Sequence, residues 1–193
     1  MPIDFKTTIR ADLWRYYGRN DRAAFWKAFR EIPGFRFSYF LRKCQAGRNR
    51  PRWLRIASTL LYSILLNHYR YRYGFEIAIE SEIGPGLYIG HFGHLTVHPE
   101  CRLGSNVNLS PGIVIGQSNR GSRQGVPEIG NRVWIGTNAI VVGRIKVGNN
   151  VMIAPGAYVN FDVPDNAVVA GNPGQIVSHR GTEHYVENIV DHD

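Results

Sequence analysis

The sequence predicts a mainly β fold, a parallel β-helix of six-residue repeats, preceded by an α-helical region. The main observation is the period, because aliphatic side chains recur every six positions without a slip. The repeating residues are Ile129, Ile135, Val141, Val147, Ile153 and Val159. A helix would need apolar spacings of three and four, and a strand a spacing of two. A six-residue period therefore indicates a coil of short strands joined by turns.

Two further observations favour this fold. An earlier aliphatic line with the same period consists of Val97, Leu103, Leu109 and Ile115. Glycine often follows the repeating residue, as in Ile83-Gly84 and Ile135-Gly136, which suits a chain that turns sharply every few residues. About 18 residues per coil predict roughly four coils, and strands about 4.8 Å apart make a prism roughly 20 Å tall. A two-residue insertion near residues 94–96 would bring the early repeats into step with the later ones.

The repeats divide the chain into three parts: a helical region at residues 1–74, the β-helix at 75–177, and a tail at 178–193. The tail is expected to end the solenoid and to be partly loose. Residues 116–128 interrupt the repeat with a glycine-rich, basic sequence. Because the repeat resumes in step, we expect this segment to be an external loop. Binding groups commonly lie on loops carried by a rigid scaffold.

The helical region contains four predicted helices. Residues 9–30 predict two short helices broken near Gly18, and the Pro33-Gly34 turn precedes a helix at 35–46, followed by a basic loop at 45–51. Apolar spacings of three and four at 53–69 predict an amphipathic helix. Its apolar stripe is expected to pack on the end of the β-helix, because an open solenoid end must be capped. Peripheral membrane contact is the alternative for a basic amphipathic helix.

The positive charge is concentrated at the front of the chain. Residues 1–80 hold 16 Lys and Arg against 6 Asp and Glu, whereas residues 81–193 hold 7 against 9. Such a front attracts phosphate-bearing molecules, anionic polymers or a membrane surface. No nucleic-acid-binding motif accompanies it, so nucleic acid is not an expected partner.

The sequence also favours a cytoplasmic location. Cys44 and Cys101 have no CxxC spacing, and residues 1–10 lack the apolar run of a secretory leader. The longest uncharged apolar segment, residues 56–69, is too short to cross about 30 Å of hydrocarbon. No transmembrane helix is therefore expected.

Four stretches resemble the serine acetyltransferase branch of the left-handed β-helix hexapeptide-repeat acyltransferases. They are Phe75-Glu76-Ile77, residues 83–91, residues 116–127 and Val169-Ala170-Gly171-Asn172-Pro173. In character the chain is most similar to capsule and colanic acid polysaccharide O-acetyltransferases. The resemblance covers residues 11–177 and implies a left-handed coil, a homotrimer, and acetyl-CoA in the groove between subunits. The front end lacks the long leading helices by which the serine enzymes double their trimers, so a simple trimer is expected.

This resemblance implies a catalytic role for His91 and an orienting role for Glu76. A hydroxyl is a poor nucleophile until a base near neutral pKa removes its proton, and histidine suits that task. A carboxylate on the other ring nitrogen fixes the tautomer and stabilises the imidazolium. The two residues are 15 positions apart, close to one coil, so neighbouring coils can bring them together. The alternative is a structural role for His91 and an ordinary exposed strand residue for Glu76.

The acceptor is predicted from departures from the serine enzymes. Gly90 stands where those enzymes have aspartate, and Gly125-Val126 where they have Arg-His, so only Asp21 remains of the residues that recognise serine. The predicted acceptor is therefore a sugar hydroxyl on a surface polysaccharide or its precursor. The alternatives are a serine O-acetyltransferase of cysteine biosynthesis and a non-catalytic scaffold or binding module. The predicted acceptor-binding residues are Asp21, Gly90, Asn119, Arg120 and Arg123, although the three loop residues would also serve simply to solvate the loop.

Acetyl-CoA is the expected co-substrate. Small residues at the corners of the repeat allow close turns, and in the family they also let the pantetheine arm lie against the backbone. The predicted cofactor-binding residues are Gly116, Gly136, Ala139, Ala154, Ala157 and Asn172. His94 and His98 lie near His91, but spacings of three and four do not stack in a six-residue repeat. No metal site is therefore expected.

Overall fold

A computed structural model describes residues 4–47 and 52–190, with only the backbone described for residues 52–59. The four helices are α1 (Phe5–Tyr17), α2 (Arg22–Glu31), α3 (Pro33–Gly47) and α4 (Arg52–Tyr73). The predicted break near Gly18 is confirmed, because this residue ends α1 with a left-handed φ of 61°. Pro33-Gly34 does not form a separate turn but begins α3. Proline is favoured at the first position of a helix because the backbone N–H there has no acceptor within the helix. Residues 48–51 of the predicted basic loop lie outside the described residues.

Short strands follow the helices. They are β1 (Phe75–Ile77), β2 (Glu82–Ile83), β3 (Tyr88–Ile89), β4 (Leu95–Val97), β5 (Arg102–Leu103), β6 (Asn108–Leu109), β7 (Val114–Gly116), β8 (Glu128–Ile129), β9 (Trp134–Ile135), β10 (Ile140–Val142), β11 (Lys146–Val147), β12 (Met152–Ile153), β13 (Tyr158–Val159), β14 (Val168–Ala170) and β15 (Gln175–Ser178).

These strands form three sheets of a parallel β-helix, as the six-residue period predicts. The sheet orders are β1-β4-β7-β10-β13, β2-β5-β8-β11, and β3-β6-β9-β12-β14, the last continued by β15. Each strand up to β14 pairs in parallel with the strand one coil away, whereas β15 returns antiparallel to β14 and closes its sheet. The first sheet has five strands, so the prediction of four coils is one too few.

The first coil is longer than the next. Glu76 pairs with Thr96, 20 residues on, while Thr96 pairs with Val114, 18 residues on. Because β3 ends at Ile89 and β4 begins at Leu95, the two additional residues lie within residues 90–94. The insertion was expected at 94–96 and instead falls slightly earlier, in the corner that carries His91.

One corner of the β-helix admits no side chain. A Cβ placed on Gly84 would lie 2.7 Å from the carbonyl carbon of Gly104, and a Cβ on Gly104 would lie 2.7 Å from that of Gly130. The same crowding continues from Gly130 to Gly148. We call these four residues the glycine corner. Its glycines are required because successive coils stack backbone on backbone there.

Polar side chains of α1 and α3 cap the first coil. Asp12 Oδ1 accepts hydrogen bonds from the N–H groups of Gly86 and Leu87, both at 2.9 Å. Arg42 donates to the carbonyls of Ile83 and Gly84, both at 2.7 Å, and pairs with Asp12 in full burial. These groups take the place of the hydrogen bonds that a preceding coil would supply.

The predicted packing of the α4 stripe on the β-helix is wrong for its middle. Leu60, Leu61 and Ile64 are 62%, 57% and 58% exposed, while Leu66 is fully buried. The capping surface instead comes mainly from α3, whose Phe37 and Leu41 join the core of the coils. None of the described helices is long and apolar enough to cross a membrane.

The tail is not loose as far as it is described. Gly181 donates to the Asn166 carbonyl at 2.9 Å, and Thr182 N–H donates to Asn150 Oδ1 at 3.2 Å. Asn106 Nδ2 donates to the Val190 carbonyl at 2.9 Å. The tail therefore runs from the last coils back toward the first. The side-chain amides of Asn106 and Asn150 hold it there by hydrogen bonding to its backbone. His192 lies outside the described residues.

Candidate active site

The corner between β3 and β4 presents His91 to solvent. Its two additional residues enlarge this turn, and both His91 and Phe92 are exposed, Phe92 to 68%. The imidazole makes no hydrogen bond within the described residues. An exposed histidine held on a rigid coil is accessible to a substrate, which a general base requires.

Glu76 lies on the outer face of β1 and its hydrogen-bond partner is Thr96. Thr96 Oγ1 donates to Glu76 Oε2 at 3.2 Å, and the same hydroxyl lies 3.2 Å from His94 Nε2. The structure thus joins Glu76, Thr96 and His94, whereas direct contact between Glu76 and His91 stays a prediction. Thr96 and His94 were missed as site residues. Thr96 could have been found from the register between β1 and β4, because that register pairs Thr96 with Glu76.

A cavity of about 250 Å³ lies beside this carboxylate. Its lining includes Arg70, Glu76, Thr96, His98 and Gly116. The fold therefore brings the predicted carboxylate and one predicted cofactor residue, Gly116, to a single cavity. Arg70 is held at its edge by a 2.8 Å hydrogen bond to the carbonyl of Ile77.

The external loop is folded against the later coils. Ser118 and Gly125 pair across it, and the Arg144 N–H donates to the carbonyl of Arg123 at 2.8 Å. Arg123 Nη1 lies 3.3 Å from Asp162 Oδ2. Arg123 therefore helps to anchor the loop within its own chain, and acceptor binding by Arg123 stays a prediction. Asn119 and Arg120 are exposed on the loop.

Asp162, the partner of Arg123, is itself held in place by the backbone of β11. Its Oδ1 accepts the Lys146 N–H at 2.8 Å. This backbone hydrogen bond, followed by the side chain of Arg123, lowers the pKa of Asp162 below its ordinary value. The carboxylate therefore stays ionised to a lower pH than an ordinary aspartate.

Asp21 has a structural role that is sufficient to explain it. It caps the N-terminus of α2, accepting the Ala24 N–H at 2.8 Å, and pairs with Arg19 at 3.3 Å. The hydrogen bond from Ala24 lowers the pKa of Asp21. These described contacts do not join it to the His91 corner, and acceptor binding by Asp21 stays a prediction.

Gly90 and the predicted cofactor residues occupy different environments. A Cβ on Gly90 would lie 3.0 Å from the ring of Tyr88, so that ring restricts any side chain here. Ala139 and Ala157 are fully buried in the core, where their side chains pack the coil and face away from a bound molecule. The more accessible residues of the predicted set are Gly116, Ala154 and Asn172. Gly136 is needed by packing, because a Cβ there would lie 2.7 Å from Pro155 N.

No metal centre is found among the described residues. No group of three or more His, Cys, Asp or Glu side chains there is placed to hold a metal ion. His94 contacts Thr96, and His98 Nδ1 accepts the Glu100 N–H at 3.2 Å. Both histidines thus have polar partners within the chain.

Comparison with known proteins identifies the repeat. Residues 127–160 match the family model described as bacterial transferase hexapeptide (six repeats). This match lies in the later coils of the β-helix. The chain is 33% identical to the serine acetyltransferase of Staphylococcus aureus (strain Mu50) over 123 residues, 64% of this chain and 57% of the relative. It therefore spans little more than half the length of the curated relatives it matches.

Solved structures are similar over most of the chain. Serine acetyltransferase of Neisseria gonorrhoeae in complex with serine has a TM-score of 0.70 and 26% identity, and the match covers 89% of this chain and 68% of that one. Serine acetyltransferase of Brucella abortus strain S19 in complex with coenzyme A has a TM-score of 0.73 and 26% identity, covering 92% and 69%.

These relatives contradict the predicted polysaccharide acceptor. Both the sequence relative and the solved structures are serine acetyltransferases, so the saccharide prediction is wrong. It rested on the absence of charge at Gly90 and Val126. The fold nevertheless places charged groups around the loop, including Arg144 and Asp162, so the two neutral positions do not leave the region without charge.

Proposed function

We propose that this chain is an acetyl-CoA-dependent O-acetyltransferase whose acceptor is the hydroxyl of serine. The observation that carries the proposal is the exposed His91, held on the enlarged corner of a hexapeptide-repeat β-helix. The named activity of the Staphylococcus relative and the serine and coenzyme A complexes of the two solved structures support the choice of substrates.

His91 acts as the general base in this proposal. Its imidazole takes the proton of the serine hydroxyl as the oxygen attacks the thioester carbonyl carbon of acetyl-CoA. The C–S bond then breaks, the imidazolium returns the proton to the departing thiolate, and O-acetylserine and CoA result. Backbone N–H groups stabilise the oxyanion that forms between the two steps.

Glu76 and Thr96 support the base. The negative carboxylate stabilises the imidazolium of His91, and it does so best when its position is fixed. Thr96 fixes it by donating the 3.2 Å hydrogen bond to Oε2. Thr96 is thus a positioning residue in this proposal, because it acts on His91 only through Glu76.

The substrates are held by the corners and the external loop. Gly116, Ala154 and Asn172 give the pantetheine arm close access to the backbone, while the buried Gly136, Ala139 and Ala157 keep the coil packed beneath them. Exposed Arg120 and Arg144 supply positive charge for the CoA phosphates or the serine carboxylate. Asn119 and the Gly90 backbone complete the acceptor side.

A homotrimer is the proposed assembly, and the faces of the β-helix support it. The outward side chains of the β2-β5-β8-β11 sheet are charged: Glu82, Arg102, Glu128 and Lys146, with Glu82 and Arg102 paired at 3.1 Å. The outer face of the first sheet instead carries the half-buried apolar residues Val114, Ile140 and Tyr158. The apolar face suits contact with a neighbouring subunit, and the charged face suits solvent.

The test is CoA thiol release from acetyl-CoA in the presence of L-serine, with glycine as the control that lacks a hydroxyl. We expect release with serine, and a fall of about 10² to 10⁴ in kcat for His91→Ala. The control His179→Ala changes an exposed histidine of the tail and should retain activity. Absence of serine-dependent release, or full activity in His91→Ala, would overturn the proposal.

A further inference from the structure

The outer face of α4 is apolar and uncovered by the described residues. Leu60, Leu61 and Ile64 are each more than half exposed, and Tyr71 is 83% exposed. Their spacings of one, three and seven residues place them on one side of the helix. We call these four residues the α4 face. Exposed Asn67 and His68 lie between Ile64 and Tyr71 on this side. Exposed apolar side chains grouped in this way indicate an interaction site.

The opposite side of α4 is firmly attached to the protein. Leu66 is fully buried, and Tyr69 stacks with Phe40 of α3 at a centroid distance of 5.3 Å. Arg70 bonds the carbonyl of Ile77 in β1. The α4 face is therefore presented by an anchored helix, and its exposure is not the result of a detached segment.

The charge around this face selects an anionic partner. Residues 32–75 contain nine Lys and Arg and no Asp or Glu, and of these nine Arg42 is buried and paired with Asp12. Arg72 is exposed in the last turn of α4, one residue from Tyr71. Pairing the face with the same face of a second copy would bring two such basic segments together, which is unfavourable. The anionic headgroups of a lipid bilayer would neutralise the positive charge of residues 32–75. The acyl-chain region beneath them would bury Leu60 and Leu61.

We propose that the α4 face docks this protein on the surface of an anionic lipid bilayer. The helix lies in the plane of the interface, with Leu60, Leu61 and Ile64 entering the boundary between headgroups and acyl chains. Tyr71 takes the headgroup level, where tyrosine is favoured, and Arg72 faces anionic headgroups.

Vesicle flotation of the full chain tests the proposal. The probes are phosphatidylcholine vesicles and vesicles of phosphatidylcholine with about one-third phosphatidylglycerol. We expect binding to the anionic vesicles only, weakened by salt because the arginine contribution is screened. Leu61→Gln with Ile64→Gln should lower the partition coefficient by at least about tenfold, since two apolar side chains are lost from the interface.

The matched control is Ile176→Gln with Val177→Gln, which changes two exposed apolar residues on β15 and should leave binding unchanged. Circular dichroism of both double variants verifies folding. Equal binding by the wild type and the Leu61/Ile64 variant would overturn the proposal, as would wild-type binding no stronger to anionic than to neutral vesicles. A fall in molecular mass by ultracentrifugation for the Leu61/Ile64 variant, without any vesicle binding by the wild type, would assign the face to contact between copies and also overturn it.

Discussion

The glycine corner and the His91 corner belong to the same β-helix but differ in turn length and in the space they leave for side chains. At the glycine corner, Gly84, Gly104, Gly130 and Gly148 stack with no room for a Cβ. At the His91 corner, the turn of the first coil is two residues longer and its side chains are exposed. Strict repetition thus serves packing, while the departure from repetition frees side chains for chemistry. Substitutions at the regular part should alter stability, and those at the irregular corner should alter activity.

The largest stability effect is expected where the regular hydrogen bonding ends. Asp12→Ala removes the acceptor for two N–H groups of the first coil and leaves Arg42 buried without its partner. We expect a loss of about 3–5 kcal/mol in the free energy of unfolding, measured by urea denaturation. Arg30→Ala, which removes an exposed ion pair with Glu31, should cost under about 1 kcal/mol. Similar losses for both variants would show that the cap does not hold the coil.

A smaller loss is expected at the glycine corner itself. Gly104→Ala forces a methyl group to within 2.7 Å of the Gly130 backbone, and such overpacking costs about 1–3 kcal/mol. Gly116→Ala is the matched control, because Gly116 also follows a repeating aliphatic residue but its Cβ would meet Val114 at an ordinary 3.5 Å. Urea denaturation should separate the two variants. A destabilisation of Gly116→Ala as large as that of Gly104→Ala would contradict the crowding argument.

The regular features could be predicted from sequence and the irregular ones could not. The six-residue period predicts the β-helix because the repeating aliphatic side chains all pack in its core. The insertion was misplaced because Leu95 and Val97 are both buried, so the aliphatic pattern alone does not show which line continues. The burial of Asp12 and Arg42, and the pairing of the tail with Asn106 and Asn150, depend on contacts between distant segments. The sequence pattern carries no record of those contacts.

At the irregular corner, Thr96 tests whether the position of Glu76 matters for activity. Thr96→Val keeps the shape of the side chain but removes the hydroxyl that donates to Oε2. We expect kcat for serine acetylation to fall about tenfold with unchanged stability, because one hydrogen bond to a charged group is lost. Thr96→Ser should restore kcat, and the pH profile of kcat/KM should shift only in Thr96→Val. A normal rate and pH profile in Thr96→Val would exclude the positioning role.

The smallest expected effect concerns the ion pair between Arg123 and Asp162, which anchors the external loop to the later coils. Because the pKa of Asp162 is lowered in the folded protein, its contribution to stability is complete above the ordinary carboxyl range. That contribution is lost as the pH falls through the lowered pKa. Asp162→Asn should therefore flatten part of the acid limb of stability measured by thermal unfolding between about pH 5 and pH 2. Arg123→Gln separates the causes, since the Lys146 N–H is the larger one. This variant should keep most of the acid dependence, and an acid limb as flat as that of Asp162→Asn would make Arg123 the dominant partner.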